Sequence, residues 1–305
     1  MNRMKTGTWR KACAGIALAA GLLLGACRSE PQPAAPAAES RVALWEVTGP
    51  GGARGWLFGT VHALPEGTRW SRPAIAQALG AADRLVFEIG EPLDAKIAGE
   101  ALGRLAFTRG LPPPSERIDP AYRGKLAAVY KDLALTDAQF RDEESWAVAL
   151  QISAIAGQKH GMSPDNGVEP ELRRMAKGKL VTGLETIDSQ FGIFDRLGDR
   201  EQKVLLEQVA EEASSGKDDE QDILKLWLRG DDLGIAKESE TGFLADPGLH
   251  EALLAARNRN WTGQIDAMLK AGAHPFVAVG AAHVSGTDGL PRMLAERGWT
   301  VRRVQ

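Results

Sequence analysis

From Val42 onward, short apolar runs alternate with longer stretches in which apolar residues return every three or four positions, the pattern of strands set among helices. Ala43 to Val47 and Gly55 to Thr60 flank Gly49-Pro50-Gly51-Gly52, which predicts two strands joined by a turn. Ser71 to Ala81 predicts a helix with Ser71 as N-cap and Ile75, Ala78 and Leu79 on one face, leading into Arg84 to Ile89, a β-rich run. Helices are predicted for Pro120 to Leu133, for Asp137 to Lys159 and for the acid-rich series Glu201 to Glu240, with a strand at Lys179 to Leu184. Glu251 to Ala271 reads as one long helix, followed by a strand at Pro275 to Gly280, a helix at Leu290 to Arg297 and a last strand at Thr300 to Val304. The expected class is α/β, a central mixed sheet flanked by helices with a helical insertion.

The pattern before Val42 is of another kind. Arg3, Lys5, Arg10 and Lys11 precede Ala12 to Ala26, which carries no charge and at about 15 residues falls short of the roughly 20 that span a bilayer's hydrocarbon core. The run ends Leu24-Gly25-Ala26-Cys27, which resembles the lipobox of bacterial lipoproteins. Residues 1–26 are therefore expected to be a signal peptide and Cys27 to be acylated. Residues 27–41 form a Pro/Ala-rich tether and residues 42–305 a single large domain. Arg28 is not the Asp that commonly retains lipoproteins at the inner membrane, so the expected location is the outer membrane, facing the periplasm.

Charge and cysteine usage narrow the function. Without the signal segment the chain has 33 Lys and Arg against 40 Asp and Glu, a formal charge of −7, and no basic block that would suit nucleic acid. The other cysteine, Cys13, lies in the segment expected to be removed, which leaves no disulfide and no thiol nucleophile. Two apolar runs end alike, in Gly59-Thr60-Val61-His62 and Gly280-Ala281-Ala282-His283. Ligands in open α/β sheets bind beyond the carboxyl ends of strands, so two imidazoles meet there if the strands are neighbours. Gly157-Gln158-Lys159-His160 has the same spacing but ends a predicted helix.

Glu88 stands among apolar neighbours in Leu85-Val86-Phe87-Glu88-Ile89 and calls for a partner if buried; the alternative is that alternation turns Val86 and Glu88 toward a wetter face. Two His and one Glu suit a divalent metal with an open water position (Mn, Co or Zn), and equally a metal-free acid/base site. Glu169 and Glu185 are further acids for proton transfer, or else helix-cap and first-turn charges. Arg257 and Asn258 either face a substrate carbonyl or carboxylate or lie on a solvated helix face.

These pieces together resemble the TraB/GumN family, related to the Tiki proteases: Leu57-Phe58-Gly59-Thr60-Val61-His62-Ala63-Leu64-Pro65, Val86-Phe87-Glu88, Gly167-Val168-Glu169, Gly183-Leu184-Glu185-Thr186, Arg257-Asn258, and Val279-Gly280-Ala281-Ala282-His283-Val284-Ser285-Gly286 with Asp288-Gly289-Leu290. Glu169 stands where Asp is often found, and Val284-Ser285 replaces a more usual Leu-Val. The resemblance implies an α/β fold of erythromycin esterase/ChaN-like type, with His62, His283 and Glu88 as the active centre. It also implies two functions, a metal-dependent peptidase acting on a peptide or small molecule and, from the ChaN-like relatives, a haem- or metal-binding lipoprotein. The acid-rich Glu201 to Glu240 series is a partner platform, a lid or a solvated face. Replacing Cys27 by Ser is expected to abolish palmitate incorporation and release the protein from the membrane fraction; a variant that stays with the membrane contradicts the anchor.

Overall fold

A computed structural model describes residues 40–92, 95–215 and 219–305; Cys27 and the expected signal and tether, up to residue 39, lie outside the described residues. In chain order the first elements are β1 (Leu44–Thr48), β2 (Arg54–Thr60), α1 (Pro73–Ala81), β3 (Arg84–Ile89), α2 (Ala95–Leu105), α3 (Pro120–Leu133), α4 (Ser145–Lys159) and α5 (Val168–Met175). Next come β4 (Leu180–Glu185), α6 (Ile187–Asp195), α7 (Asp199–Ser214), α8 (Asp219–Arg229), α9 (Asp232–Ser239) and α10 (Pro247–His250). The last are α11 (Ala256–Lys270), β5 (Pro275–Gly280), α12 (Leu290–Glu296) and β6 (Thr300–Arg303). The strands form one mixed sheet in the order β4-β3-β5-β2-β1-β6. β4, β3, β5 and β2 are parallel, and β1 runs antiparallel to both β2 and β6.

The parallel strands read as nearly continuous apolar runs because both faces are covered. Trp56, Phe58, Leu85, Phe87, Phe276 and Ala278 pack on one face with residues of α1, α5, α8 and α9. Leu57, Val86, Val277 and Val279 pack on the other with Trp261, Ile265 and Leu269 of α11 and Leu290 and Leu294 of α12. A third apolar cluster, centred on Trp146, Val129, Leu206 and Leu249, belongs to the helices inserted around β4. The expected α/β class with a helical insertion is what the chain adopts.

Several local expectations need correction. α1 begins at Pro73, with Arg72 rather than Ser71 in the cap position and no side-chain cap; proline at the first helical position sets the start. The stretch predicted as one helix from Asp137 to Lys159 is two, a 3-10 turn at Asp137–Phe140 and then α4. Arg141 is extended and Asp142 has φ 62°, which breaks the path. The long helix from Glu251 opens as a π turn, Glu251–Ala255, before α11 continues. Helices α2, α5 and α6 have no counterpart among the predicted elements. The wetter-face alternative for Glu88 also fails: Val86 is fully buried and Glu88 is only 7% exposed, both under α11. No helix among the described residues is long and apolar enough to cross a membrane.

Candidate active site

All four parallel strands deliver a polar residue to the same end of the sheet. β4 ends on Glu185, β3 carries Glu88 one residue from its end, β5 ends on Gly280 three residues before His283, and β2 ends on Thr60 two residues before His62. The strand order β4-β3-β5-β2 makes these ends adjacent. A Cβ placed on Gly280 would lie 3.2 Å from Glu88 Oε1, 3.6 Å from His283 Cδ2 and 3.7 Å from His62 Nε2, so the three expected residues converge on that glycine. A side chain there would fill the space they share.

Arg257 is the hub. It lies on α11 just past the π turn and is 9% exposed, so it is not on a solvated face. Nε donates to Glu185 Oε1 at 3.1 Å, and Nη2 donates to Glu185 Oε2 at 2.9 Å and Glu88 Oε2 at 2.7 Å. Nη1 reaches the Leu253 carbonyl at 3.3 Å and His283 Nε2 at 3.2 Å. The Trp261 ring stacks under the guanidinium at 4.5 Å and its Nε1 donates to Glu185. The other Glu88 oxygen, Oε1, accepts the Gly280 N–H at 2.7 Å, while Gln190 Nε2 adds a bond of 3.2 Å to Oε2. Burial alone would push the Glu88 carboxyl up, but His283, Arg257, His62 and the Gly280 N–H outweigh it and bring it down to about 2. Among these, Arg257 carries charge at every relevant pH.

Asn258 is completely buried and fixes His283. Its Nδ2 donates to the carbonyls of His283 and Asp288, at 3.3 and 2.6 Å. Its Oδ1 therefore faces His283 Nδ1, at 2.7 Å, and can only accept. The proton of His283 sits on Nδ1, and Nε2 is left to accept from Arg257. Burial, with Arg257 beside it, lowers His283 to about 3 against the pull of Glu88, so the ring is neutral. Asn258 is thus a positioning residue, with no free amide group for a substrate.

His62 has the opposite setting. Its Nδ1 lies 2.8 Å from Glu169 Oε1, which also accepts from Thr60 Oγ1 at 2.6 Å. Glu169 is in the first turn of α5, which approaches so closely that a Cβ on Gly167 would lie 2.1 Å from the His62 carbonyl oxygen. Dense protein surrounds the ring, yet two-thirds of the side chain remains accessible. The crowding opposes charge, but Glu169 and Glu88 overcome it and raise His62 to about 9. Solvent contact tempers the pairing relative to a sealed site. Nε2 of His62 is free on the side toward Gly280.

Two of the donor atoms that a metal held by His62, Glu88 and His283 would need are engaged. His283 Nε2 and Glu88 Oε2 both face the Arg257 guanidinium, and among the described residues no group of three His, Cys, Asp or Glu side chains is arranged to hold an ion. The residues as placed do not fit a divalent ion. A concavity of about 500 Å³ lies elsewhere, lined by Trp56 and by Glu46, Arg54 and Arg302, in which Glu46 pairs with both arginines.

A family model, TraB/PrgY/gumN, matches residues 43–303, from the first strand to the last. The chain belongs to the TraB/PrgY/gumN family. Two relatives carry the name "Uncharacterized protein YbaP", one from Shigella flexneri and one from Escherichia coli strain K12. Each is 24% identical over 251 residues, covering 82% of this chain and 90% of the relative. No solved structure matches the chain significantly. In this TraB/PrgY/gumN chain the site also includes Thr60, Gln190 and Trp261, which sequence reasoning missed. Only Trp261 left a signal, lying four residues after Arg257 on one helix face.

Glu88→Gln is expected to destabilise the protein by about 3 kcal/mol, because a neutral amide turns a donor toward either Arg257 or the Gly280 N–H and removes one of the buried cation's two counter-charges. Glu88 is depressed from 4.5 to about 2, so the stabilisation it gives is complete above about pH 4.5 and is lost as pH falls toward 2. Urea midpoints should show a constant gap between wild type and variant near neutral pH that narrows under strong acid.

Proposed function

We propose that this chain is a hydrolase in which His62 carries the reacting proton, with peptides as the substrate class that the family resemblance suggests. What supports the reading most is the divergence of the two imidazoles. Sites that set neighbouring titratable groups far apart in pKa divide acid/base work between them, and here His62 is exposed and basic while His283 is buried and neutral.

The chemistry rests on the free Nε2 of His62. Its neutral form takes a proton from water as the water oxygen attacks a carbonyl carbon, and Glu169 stabilises the imidazolium that results. That imidazolium then gives its Nε2 proton to the leaving nitrogen or oxygen as the scissile bond breaks. Glu88, Arg257 and His283 hold the floor beneath this step and keep Gly280 in place. Anchored by an acylated Cys27 on the periplasmic side of the outer membrane, such an enzyme would act on envelope substrates within reach of its tether.

His62→Ala should lower turnover of a peptide library by at least about 100-fold, the usual scale of a lost general base. In the wild type, turnover should rise with pH through the range approaching 9, since only the neutral imidazole accepts a proton. Glu169→Gln removes the larger of the two charges that raise His62, so its limb should move to lower pH with a reduced plateau. Hydrolysis unaffected by His62→Ala contradicts the reading. So does a Soret shift on haem addition that needs His62 and comes without hydrolysis.

A further inference from the structure

We infer that Arg257 is the built-in cation of this centre, standing where a divalent ion would otherwise be held, so that the native protein keeps metal out of the site. The guanidinium has five N–H donors, and each has an acceptor: Nε on Glu185 Oε1, Nη2 on Glu185 Oε2 and Glu88 Oε2, Nη1 on the Leu253 carbonyl and His283 Nε2. Nothing about this group is left for substrate, and it has no unsatisfied donor that would draw it out.

Two of its five acceptors, Glu88 Oε2 and His283 Nε2, are among the atoms a metal at this centre would use. A metal bound to them would lie almost against the guanidinium, and two cations so close in a buried setting repel strongly. The ion would have to evict Arg257, leaving the arginine without partners and breaking its stack on Trp261. The Leu253 carbonyl belongs to the π turn, a feature that recurs at functional sites. Here it sits four residues before Arg257 and holds the Nη1 end of the guanidinium in place.

The same geometry predicts the effect of removing the guanidinium. Glu88, Glu185 and His283 would then face one vacated space, two carboxylates and an imidazole of the kind that bind divalent first-row ions. The inference stands on this arrangement and not on the hydrolytic reading, since it concerns which cation the site holds.

Cobalt(II) absorption spectroscopy tests it on the purified full chain. Wild type should show no visible ligand-field bands beyond those of the aqueous ion, whereas Arg257→Ala should bind one equivalent with new bands that disappear in Arg257→Ala/His283→Ala. Cobalt bands in wild type that are lost in His283→Ala would overturn the inference, whatever the protein hydrolyses. A folded Arg257→Ala protein that binds no cobalt would overturn it as well. Should that variant not fold by circular dichroism, the wild-type comparison with His283→Ala decides: no His283-dependent bands supports the built-in cation, and their presence refutes it.

Discussion

The centre depends on one buried ion triad, the Arg257 guanidinium between the carboxylates of Glu88 and Glu185. Each member alone would be expensive to bury, and together they are tolerable because the geometry is bidentate on one side and every donor is met. The triad links α11 to the ends of β3 and β4, and through the Gly280 N–H it reaches β5. Its position fixes the rest: Glu88 stays ionised, His283 has a donor aimed at Nε2, and the strand ends are held in register.

The two imidazoles then become unequal partners. They come after strands β5 and β2, which pair directly, and they share the Gly-x-x-His spacing. Yet one is shut in with an amide and a guanidinium, and the other is open with a carboxylate behind it. The difference comes from which helix covers each strand end. α11 lies over His283 and brings a cation, while the first turn of α5 lies under His62 and brings an anion. Sequence symmetry between the two motifs thus hides an electrostatic asymmetry supplied by residues more than a hundred positions away from His62.

Much of the scaffold was legible in the chain. Strand runs such as Arg84–Ile89 and Pro275–Gly280 stand out because parallel strands buried on both faces must be apolar throughout. α3 was legible from Pro120 to Leu133 because its apolar residues recur at helical spacing, and the structure adds Asp119 as its N-cap. The break before α4 was not, since an extended Arg141 and a left-handed Asp142 leave no proline or glycine to mark them. The π turn was equally silent, as its apolar spacing passes for an α-helix. At the site, the residue types gave His62, Glu88 and His283 a shared location through the strand-end rule. What remained hidden was the pairing, because Arg257 on a helix reads the same whether it faces water or a buried carboxylate. Two His and a Glu suit a metal by donor type alone, and no residue pattern shows that a guanidinium engages His283 Nε2 and Glu88 Oε2.

The two imidazoles of this centre should be divided by where they titrate, a division that long-range proton–nitrogen correlation spectra of the ring nitrogens measure directly. Across about pH 5 to 10, His62 should titrate well above its ordinary 6.5, toward about 9. His283 should stay neutral throughout with its proton on Nδ1. A His283 that titrates near neutral pH, or that carries its proton on Nε2, would contradict that division.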